Sequence, residues 1–375
     1  MRYTVPDYYG QFTCTADGCE DTCCAQWQIF VDEKSLRRYR KVKGDFGKRL
    51  RSVIDFKTGE ISQSAEHRCA FLNEDNLCDI YTELGCDALC ATCRRYPRHV
   101  EEFEGVREIS LSLSCPEAAR LILNKKEKTT FISLDRPGEE SWKDFDPLLY
   151  SKLVDARDVI LRILQDREKP IPVRVGLTLG LAHDLQRRIR HRKIFSCEEV
   201  FRKYETPAAA AFVEEKIQSF HDDEARAYAF VREKFLPLYC LELLNGSWFV
   251  GLQETEDYVL PDEKTYAQVR REFGAWQKER LPAWETICEQ ILVYFIFTYF
   301  CGAVYDGEAL AMAQMAAAAL LHIQCLLMSR WVKNGNELTM EEVLDTVYRY
   351  SREIEHSEKN LQDMEEILQE SFLAE

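Results

Sequence analysis

Apolar residues follow a helical period through most of the chain after residue 145. The segments YSKLVDARDVILRILQ and VGLTLGLAHDLQRRI place Leu, Ile and Val three and four residues apart, which is typical of amphipathic helices. Thr339-Met-Glu-Glu342 and Ser196-Cys-Glu-Glu199 have the spacing of capping boxes and predict two further helix starts. The same period predicts helices at about 207–220, 223–243, 263–278 and 283–305. This part of the chain is therefore predicted to be almost entirely α-helical.

The first third of the chain carries mixed signals. Asp32 precedes a basic amphipathic segment, residues 33–51, and is suited to cap the N-terminus of a helix. Glu104-Gly105 separates two strand-like runs and predicts a β-hairpin. Pro116 follows Cys115 and predicts a helix that begins at this proline.

A polar stretch at about 125–145 separates these two parts. We therefore predict a mainly α protein in which a small cysteine-rich α+β metal-binding unit packs on a multi-helix body. The unit is assigned to residues 1–125 and the α-helical domain to residues 126–375.

Two long apolar runs, residues 291–305 and 309–328, raise the question of a membrane. The first run is too short to span a bilayer, and the second contains Gln314, His322 and Gln324. We interpret both as buried core helices. The first residues lack the basic and then apolar pattern of a secretory signal. These observations predict a soluble, cytoplasmic protein with no membrane partner.

The composition excludes one class of partner. The formal net charge is −15 and the sequence pI is about 5.1, whereas binding to nucleic acid requires a basic face that neutralises phosphates. The basic segment 33–51 is the local exception, and a solvated helix face is the simpler interpretation of it. We expect no nucleic-acid partner.

Cysteine is the most informative residue type. Ten of the 15 cysteines precede residue 116, and the spacing Cys90-x2-Cys93 lets two thiolates from one turn reach one metal site. The alternative is that these cysteines form disulfides, which would require an oxidising compartment. The five later cysteines (Cys197, Cys240, Cys288, Cys301, Cys325) lie in apolar helical surroundings and are predicted to pack in the core.

The early cysteines are the candidate metal ligands. They are Cys14, Cys19, Cys23, Cys24, Cys69, Cys78, Cys86, Cys90, Cys93 and Cys115. Four-thiolate shells suit zinc or an iron–sulfur cluster. Cys115 would lie at a helix N-terminus, where the helix dipole stabilises a thiolate.

Other patterns give weaker signals. Cys86-x3-Cys90-x2-Cys93 has the three-cysteine spacing of radical S-adenosylmethionine enzymes, but the helical remainder does not supply the strands of their partial barrel. No glycine-rich dinucleotide motif is present. Glu353 and His356 have the spacing of a di-iron motif but occur once, so we interpret them, with Arg352, as ordinary polar contacts.

Four segments together resemble a known family. They are YYGQFTCTADGCEDTCCAQWQI, CAFLNEDNLCDIYTELG with the following LCATCRRYPR, SLSLSCPEAARLIL and YSREIEHSEKNL. In this order they resemble the FliB-type flagellin lysine-N-methylases. The cysteine-rich part is also similar to a broader family of zinc- or iron-chelating domains.

The resemblance implies a function. It implies methylation of flagellin lysine ε-amines, with S-adenosylmethionine as methyl donor and a cysteine-ligated iron–sulfur cluster, expected to be 4Fe-4S with zinc as the alternative. Cys86 falls where relatives often carry another residue. Arg94, Arg95, Tyr96 and Arg98 would lie beside the cluster and are the predicted cofactor-binding residues. The alternative function is a non-catalytic chelating or interaction protein, and no catalytic residue is predicted.

Overall fold

The computed structural model describes residues 1–138 and 145–373. Its helices are α1 (Glu33–Tyr39), α2 (Gly44–Val53), α3 (Asp79–Leu84), α4 (Ala91–Arg95), α5 (Pro116–Leu123), α6 (Pro147–Leu164), α7 (Ile171–Arg190), α8 (Cys197–Tyr204), α9 (Pro207–Asp222), α10 (Glu224–Phe235), α11 (Gly246–Tyr258), α12 (Glu263–Arg280), α13 (Trp284–Tyr299), α14 (Ala309–Lys333), α15 (Met340–Glu355) and α16 (Glu358–Leu373). Its strands are β1 (Arg2–Pro6), β2 (Arg98–Phe103), β3 (Val106–Leu111) and β4 (Phe131–Asp135). The prediction of a mainly helical protein is confirmed.

The four strands form one small mixed sheet in the order β2-β3-β1-β4. The hairpin β2–β3 turns at Gly105, which has a φ of +68° and confirms the predicted hairpin. β1 pairs parallel with β3, with Thr4 opposite Glu108, and antiparallel with β4, with Tyr3 opposite Leu134. The sheet therefore joins the start of the chain to residues 98–135.

Buried apolar residues form two clusters. The larger one contains helices α5 to α7 and α13 to α15 together with Tyr8, Phe103, Leu111 and Cys115. The smaller one lies within residues 29–90 and is built around Tyr39, Leu50, Phe71 and Ile80. The sheet and α5 thus share a core with the helical body. The domain division at residue 125 stays a prediction.

Among residues 1–138 and 145–373, two helical stretches are long and apolar enough to cross a membrane. They are Trp284–Val304 and Ala309–Lys333, and 89% and 72% of their most apolar windows are buried inside the protein. Such burial is typical of core helices, as predicted for both runs. A buried His322 in α14 hydrogen-bonds to Lys234 O and to the Tyr350 hydroxyl, which satisfies its polar atoms.

Several local predictions are confirmed. Asp32 caps α1 by accepting a hydrogen bond from the Ser35 N–H. Thr339 and Glu342 form the complete capping box of α15. Pro116 is the first residue of α5, and Cys115 is its N-cap.

Other local predictions are wrong. The basic segment 33–51 is two helices, because the chain turns at Gly44, where φ is +77°. Ser196 does not cap α8, since its hydroxyl donates to Lys193 O and accepts from Arg188 instead. Helix α11 was not predicted, and Cys240 is exposed, although the other four later cysteines are buried as expected.

Candidate functional site

A cavity of about 620 Å³ lies among the early cysteines. Eight of the ten candidate ligands line it, namely Cys14, Cys19, Cys23, Cys24, Cys78, Cys86, Cys93 and Cys115. The remaining two, Cys69 and Cys90, are buried. All 15 cysteines are free thiols, so the early cysteines form no disulfides in this structure.

The walls of the cavity combine aromatic rings with arginines. Phe12, Trp27, Tyr81 and Tyr96 supply the rings, and Arg94, Arg98 and Arg352 supply the guanidinium groups. The Arg98 guanidinium also lies over the rings of Tyr9 and Phe12, 5.8 and 5.4 Å from their centroids. Of the four residues predicted beside the cluster, three line the cavity. Arg95 is exposed and is not among the lining residues.

Five cysteines, which we call the inner set, belong to the smaller core. They are Cys24, Cys69, Cys78, Cys90 and Cys93. The Cys69 N–H donates to Cys24 O at 2.8 Å, and Cys78 pairs with Leu72 in an isolated bridge. Cys90 is the N-cap of α4, and Cys93 lies one turn further along that helix. Three separate loops and one short helix thus bring these thiols together.

Electrostatic effects agree with this grouping. Burial, together with the nearby Cys24, Cys78 and Cys90 thiolates, raises the pKa of Cys69 to about 12. The hydrogen bond from the Cys93 thiol lowers the pKa of Cys90 to about 7. The pKa of Cys93 is raised by the same hydrogen bond, by burial and by Cys24 and Cys78. A bound cation would favour all of these thiolates, because it offsets their mutual repulsion.

Four other cysteines, which we call the outer set, lie where the cysteine-rich loops meet the helical body. They are Cys14, Cys19, Cys23 and Cys115. Cys115 packs in the larger core, and the other three belong to the irregular segment between Phe12 and Ala25. Cys14 and Cys115 both raise the pKa of Cys23, and Cys19 raises that of Cys115.

The N-cap position of Cys115 lowers the pKa of its thiol as predicted, but burial raises that pKa by more. Backbone N–H groups of Ala118 and Glu117 lower the pKa of this thiol. Burial has the larger effect, and the pKa is raised to about 11. The helix terminus alone therefore does not make Cys115 a thiolate.

Three cysteines, Cys23, Cys24 and Cys86, lie at the limits of the two sets. Cys23 and Cys24 are adjacent in sequence and hydrogen-bond to each other through their thiols, yet their other cysteine neighbours belong to different sets. Cys86 is exposed on the cavity wall, in a short 3-10 turn before α4. Cys86 thus lines the cavity with the other candidate ligands but belongs to neither set.

Arg352 of α15 fixes the outer set to the helical body. Its Nη1 lies 2.6 Å from Asp21 Oδ1, its Nη2 donates to Asp21 O at 2.6 Å, and its Nε donates to Ser114 O at 2.9 Å. The side chains of Arg352 and Asp21 are only 5% and 11% exposed. Since Asp21 lies between Cys19 and Cys23, and Ser114 precedes Cys115, one side chain positions both parts of the outer set.

A stack of rings extends from the cavity wall into the body. The Trp27 ring lies 4.7 Å from the His356 ring and 5.6 Å from the Tyr96 ring. The hydroxyl of Ser114 lies 2.9 Å from His356 Nε2 and 3.1 Å from the Tyr96 hydroxyl. Burial lowers the pKa of His356 to about 3, so its imidazole is neutral.

The nearby motif residues Glu353 and His356 face different partners. Glu353 accepts the Leu244 N–H at 3.0 Å, whereas His356 contacts Ser114. The neighbouring Glu355 carboxylate accepts hydroxyl hydrogen bonds from Tyr294, Tyr299 and Ser112. Leu244, Ser112 and Ser114 lie in loops, so these side chains make separate polar contacts that join α15 to neighbouring segments.

The donor set can be tested against a metal. Among residues 1–138 and 145–373, no three His, Cys, Asp or Glu side chains converge as the shell of one ion requires. The thiols instead surround a cavity. In a four-iron cluster each cysteine binds a different iron, so the thiolates stand further apart than around one zinc ion. The thiol donors present are of the type that zinc and iron–sulfur clusters both bind.

The sequence was compared with known families. The profile of the FliB lysine N-methylase C-terminal domain matches residues 157–374, which is more than half of the chain. The chain belongs to the FliB lysine N-methylase family. The family resemblance seen in the sequence is thereby confirmed.

Individual FliB-family relatives match a shorter stretch. The lysine-N-methylase of Salmonella typhimurium strain LT2 is 34% identical over 132 residues, which covers 33% of this chain and 33% of that protein. The flagellar biosynthetic protein FliU of Salmonella muenchen is also 34% identical over 132 residues, covering 33% of this chain and 78% of that protein. The aligned stretch thus spans about a third of the Salmonella typhimurium enzyme. No solved structure matches the chain.

The sequence interpretation missed several residues of the site. Phe12, Trp27 and Arg352 line the cavity but were not predicted to bind anything. The first two lie within the segment that resembles the FliB family, and Arg352 lies within the last such segment. Their position in family-like segments was the one indication in the sequence that these residues belong to a site. A resemblance of separate segments does not show that the segments lie close together in the fold.

Proposed function

We propose that the protein is a protein-lysine N-methyltransferase that uses S-adenosylmethionine to methylate flagellin lysines and that holds an iron–sulfur cluster on its early cysteines. The observation that carries this proposal is the family match over residues 157–374. Relatives bearing the names lysine-N-methylase and flagellar biosynthetic protein support the substrate class.

The cysteine-lined cavity is the proposed site of the reaction. Its volume of about 620 Å³ lies within the usual range of small-molecule pockets. The faces of Trp27 and Tyr96 can attract a sulfonium or a lysine ammonium through cation–π contacts. Arg94 and Arg98 can bind the carboxylate of the methyl donor. The cavity thus offers groups for each end of S-adenosylmethionine.

The lysine must lose its proton before it reacts. Its nitrogen lone pair then attacks the sulfonium methyl, and the new N–C bond forms as the C–S bond breaks, which releases S-adenosylhomocysteine. An apolar, aromatic environment lowers the pKa of a lysine and favours the neutral amine. Burial raises the pKa of Tyr96, so its hydroxyl stays protonated at neutral pH. The Tyr96 hydroxyl faces that of Ser114 at 3.1 Å, so Tyr96 offers its ring to the reactants and does not act as the base.

The cluster would be held by four of the early cysteines. When bound, it would supply one-electron redox chemistry and a cross-link between loops. The strands in the described part of the chain form one four-stranded sheet and not the partial barrel of radical S-adenosylmethionine enzymes. This supports polar displacement over radical methyl transfer.

The test combines cofactor analysis with a transfer assay. Protein purified without oxygen should contain about four irons and four sulfides for each cluster and should transfer a labelled methyl group to flagellin lysines, as shown by mass spectrometry. Cys93→Ser should lose metal and methyl transfer. Cys301→Ser is the matched control, since Cys301 is buried in the helical core, and it should retain both.

Two results would contradict the proposal. A holo-protein that neither binds S-adenosylmethionine nor labels flagellin under reducing conditions would not be a methyltransferase of this kind. A colourless protein that holds zinc alone would exclude the iron–sulfur part and leave only the methyl transfer to be tested.

A further inference from the structure

A second cavity, of about 540 Å³, lies in the helical body. Most of its lining residues belong to α11, α14 and α15. Arg352 lines this cavity as well as the cysteine-lined one, so the two cavities are neighbours at that side chain. The proposed methyl transfer gives the second cavity no role.

The wall of the second cavity carries four cationic side chains, and each is already paired with a carboxylate. Arg352 forms the ion pair with Asp21 described above. The other pairs are Lys333 with Glu254, Arg330 with Asp345 and Arg349 with Asp345. An anionic ligand would therefore have to displace carboxylates that the protein itself supplies.

The Glu353 carboxylate in the same wall lacks such a partner. It is buried and accepts the backbone N–H groups of Leu244, at 3.0 Å, and of Asn245. Within residues 1–138 and 145–373, no Lys, Arg or His side chain forms an ion pair with it. A neutral amide oxygen could accept the same N–H groups, so these bonds do not explain why the residue is acidic. A ligand that brings a positive charge would supply the missing partner.

The energetic effect of burial points the same way. Burial raises the pKa of Glu353 to about 7, because an ionised carboxylate is costly in a buried site unless a cation compensates it. The wall thus favours a cationic ligand over an anionic one.

The other side chains of this region suit a cation that is carried on an apolar stem. The Trp248 indole lines the cavity, and an aromatic face attracts an ammonium and packs against the methylene groups that carry it. Phe249 and Val250, which lie between the lining residues Trp248 and Gly251, are exposed. They offer an apolar surface beside the cavity to the chain on either side of a lysine.

We propose that this second cavity, which we call the docking cavity, binds a lysine side chain of the substrate protein, with its ammonium on Glu353 and its stem against Trp248. The inference rests on the proposed function for the class of substrate and deepens it by adding a second contact. The lysine held here is not the one that is methylated, because the reaction is assigned to the cysteine-lined cavity. It holds the substrate so that a neighbouring lysine reaches the cysteine-lined cavity beyond Arg352.

The first experiment measures, by calorimetry, the binding of Nα-acetyl-lysine N-methylamide to the full-length protein. Glu353→Gln keeps an acceptor for the loop N–H groups but removes the charge, so it should weaken binding by about tenfold or more. Glu254→Gln is the matched control, since it removes the same charge from the same wall, and it should weaken binding by less than about fivefold. Circular dichroism checks that both variants are folded.

The second experiment measures methyl transfer to flagellin. Glu353→Gln should raise KM by about tenfold and leave kcat unchanged, because the docking cavity binds the substrate without taking part in the reaction. This division between KM and kcat separates docking from a loss of catalytic or structural integrity.

Three results would overturn the inference. They are equal weakening of lysine binding by Glu353→Gln and Glu254→Gln, unchanged binding in Glu353→Gln, and a lower kcat of that variant at unchanged KM. Lysine binding that depends on Glu353, without methyl transfer by the wild type, would refute only the proposed function. Methyl transfer with a KM that Glu353→Gln leaves unchanged would refute only the docking cavity.

Discussion

Replacing Arg352 with methionine should destabilise the protein and loosen the outer set. The substitution keeps the approximate length of the side chain but removes its charge and all of its N–H donors. Asp21, which is 11% exposed, then loses its ion pair at 2.6 Å, and the carbonyls of Asp21 and Ser114 lose their donors.

The size of the expected loss in stability follows from the burial of the ion pair. Breaking a buried ion pair costs about 3–5 kcal/mol. The lower end, about 3 kcal/mol, applies here, because Arg349 Nη1 remains 3.7 Å from Asp21 Oδ2 and partly compensates its charge. Arg352→Lys keeps the charge but not the planar fork of donors, so it should restore part of the loss.

Arg349 provides the matched control, because it also pairs with the Asp21 carboxylate. The Arg349 side chain is 42% exposed, and Arg349→Met should cost less than about 1 kcal/mol because solvent screens such pairs. Urea denaturation followed by circular dichroism gives the free energies of unfolding. The rate of metal transfer to a chelator shows whether the proposed cysteine-lined metal site is loosened. Equal costs for Arg352→Met and Arg349→Met, with unchanged metal release, would refute the assigned role of Arg352.

Two further predictions concern the helical body. Glu108 and Arg157 are each 5% exposed and form a bidentate ion pair between β3 and α6. Glu108→Gln should therefore lower the free energy of unfolding in urea by about 3 kcal/mol. Glu205→Gln, which removes the exposed ion pair with Arg162, is the control and should lower it by under about 1 kcal/mol. Similar costs for both would contradict the importance of burial. Burial lowers the pKa of His322 to about 4. As the pH drops, the imidazole of His322 therefore becomes protonated in the unfolded chain at a higher pH than in the folded protein. Protonation of this residue thus lowers the free energy of unfolding as the pH drops from about 6.5 towards 4. The wild type should therefore lose about 2 kcal/mol more than His322→Gln between pH 7 and pH 5, and equal losses would show that the imidazole is not held neutral.

Local signals in the sequence predicted local structure well. The capping box at Thr339, the turn at Gly105 and the helix start at Pro116 depend on contacts within a few residues. These contacts are present in any compact fold that the segment adopts. The failed capping box at Ser196 shows the limit of this rule, because Arg188 of the preceding helix binds that hydroxyl instead.

The candidate site was predictable in composition but not in arrangement. The sequence identified the ten early cysteines, since their clustering exceeds what packing explains. It could not separate Cys23 from Cys24, because the direction of each thiol depends on elements that lie far along the chain. It also could not assign Arg352, whose partner Asp21 is 331 residues away. Contacts of that kind follow from tertiary packing and leave no periodic pattern.

The long separation between Arg352 and Asp21 has a consequence for biosynthesis. A ribosome releases the chain from its N-terminus, so every early cysteine emerges before α15 has been made. The inner set depends on contacts among residues 24–93 and can assemble on the nascent chain. The outer set waits for Arg352, which is synthesised 331 residues after Asp21. The outer thiols therefore wait longest for the side chain that fixes their segment, and they are open to oxidation during that interval of synthesis.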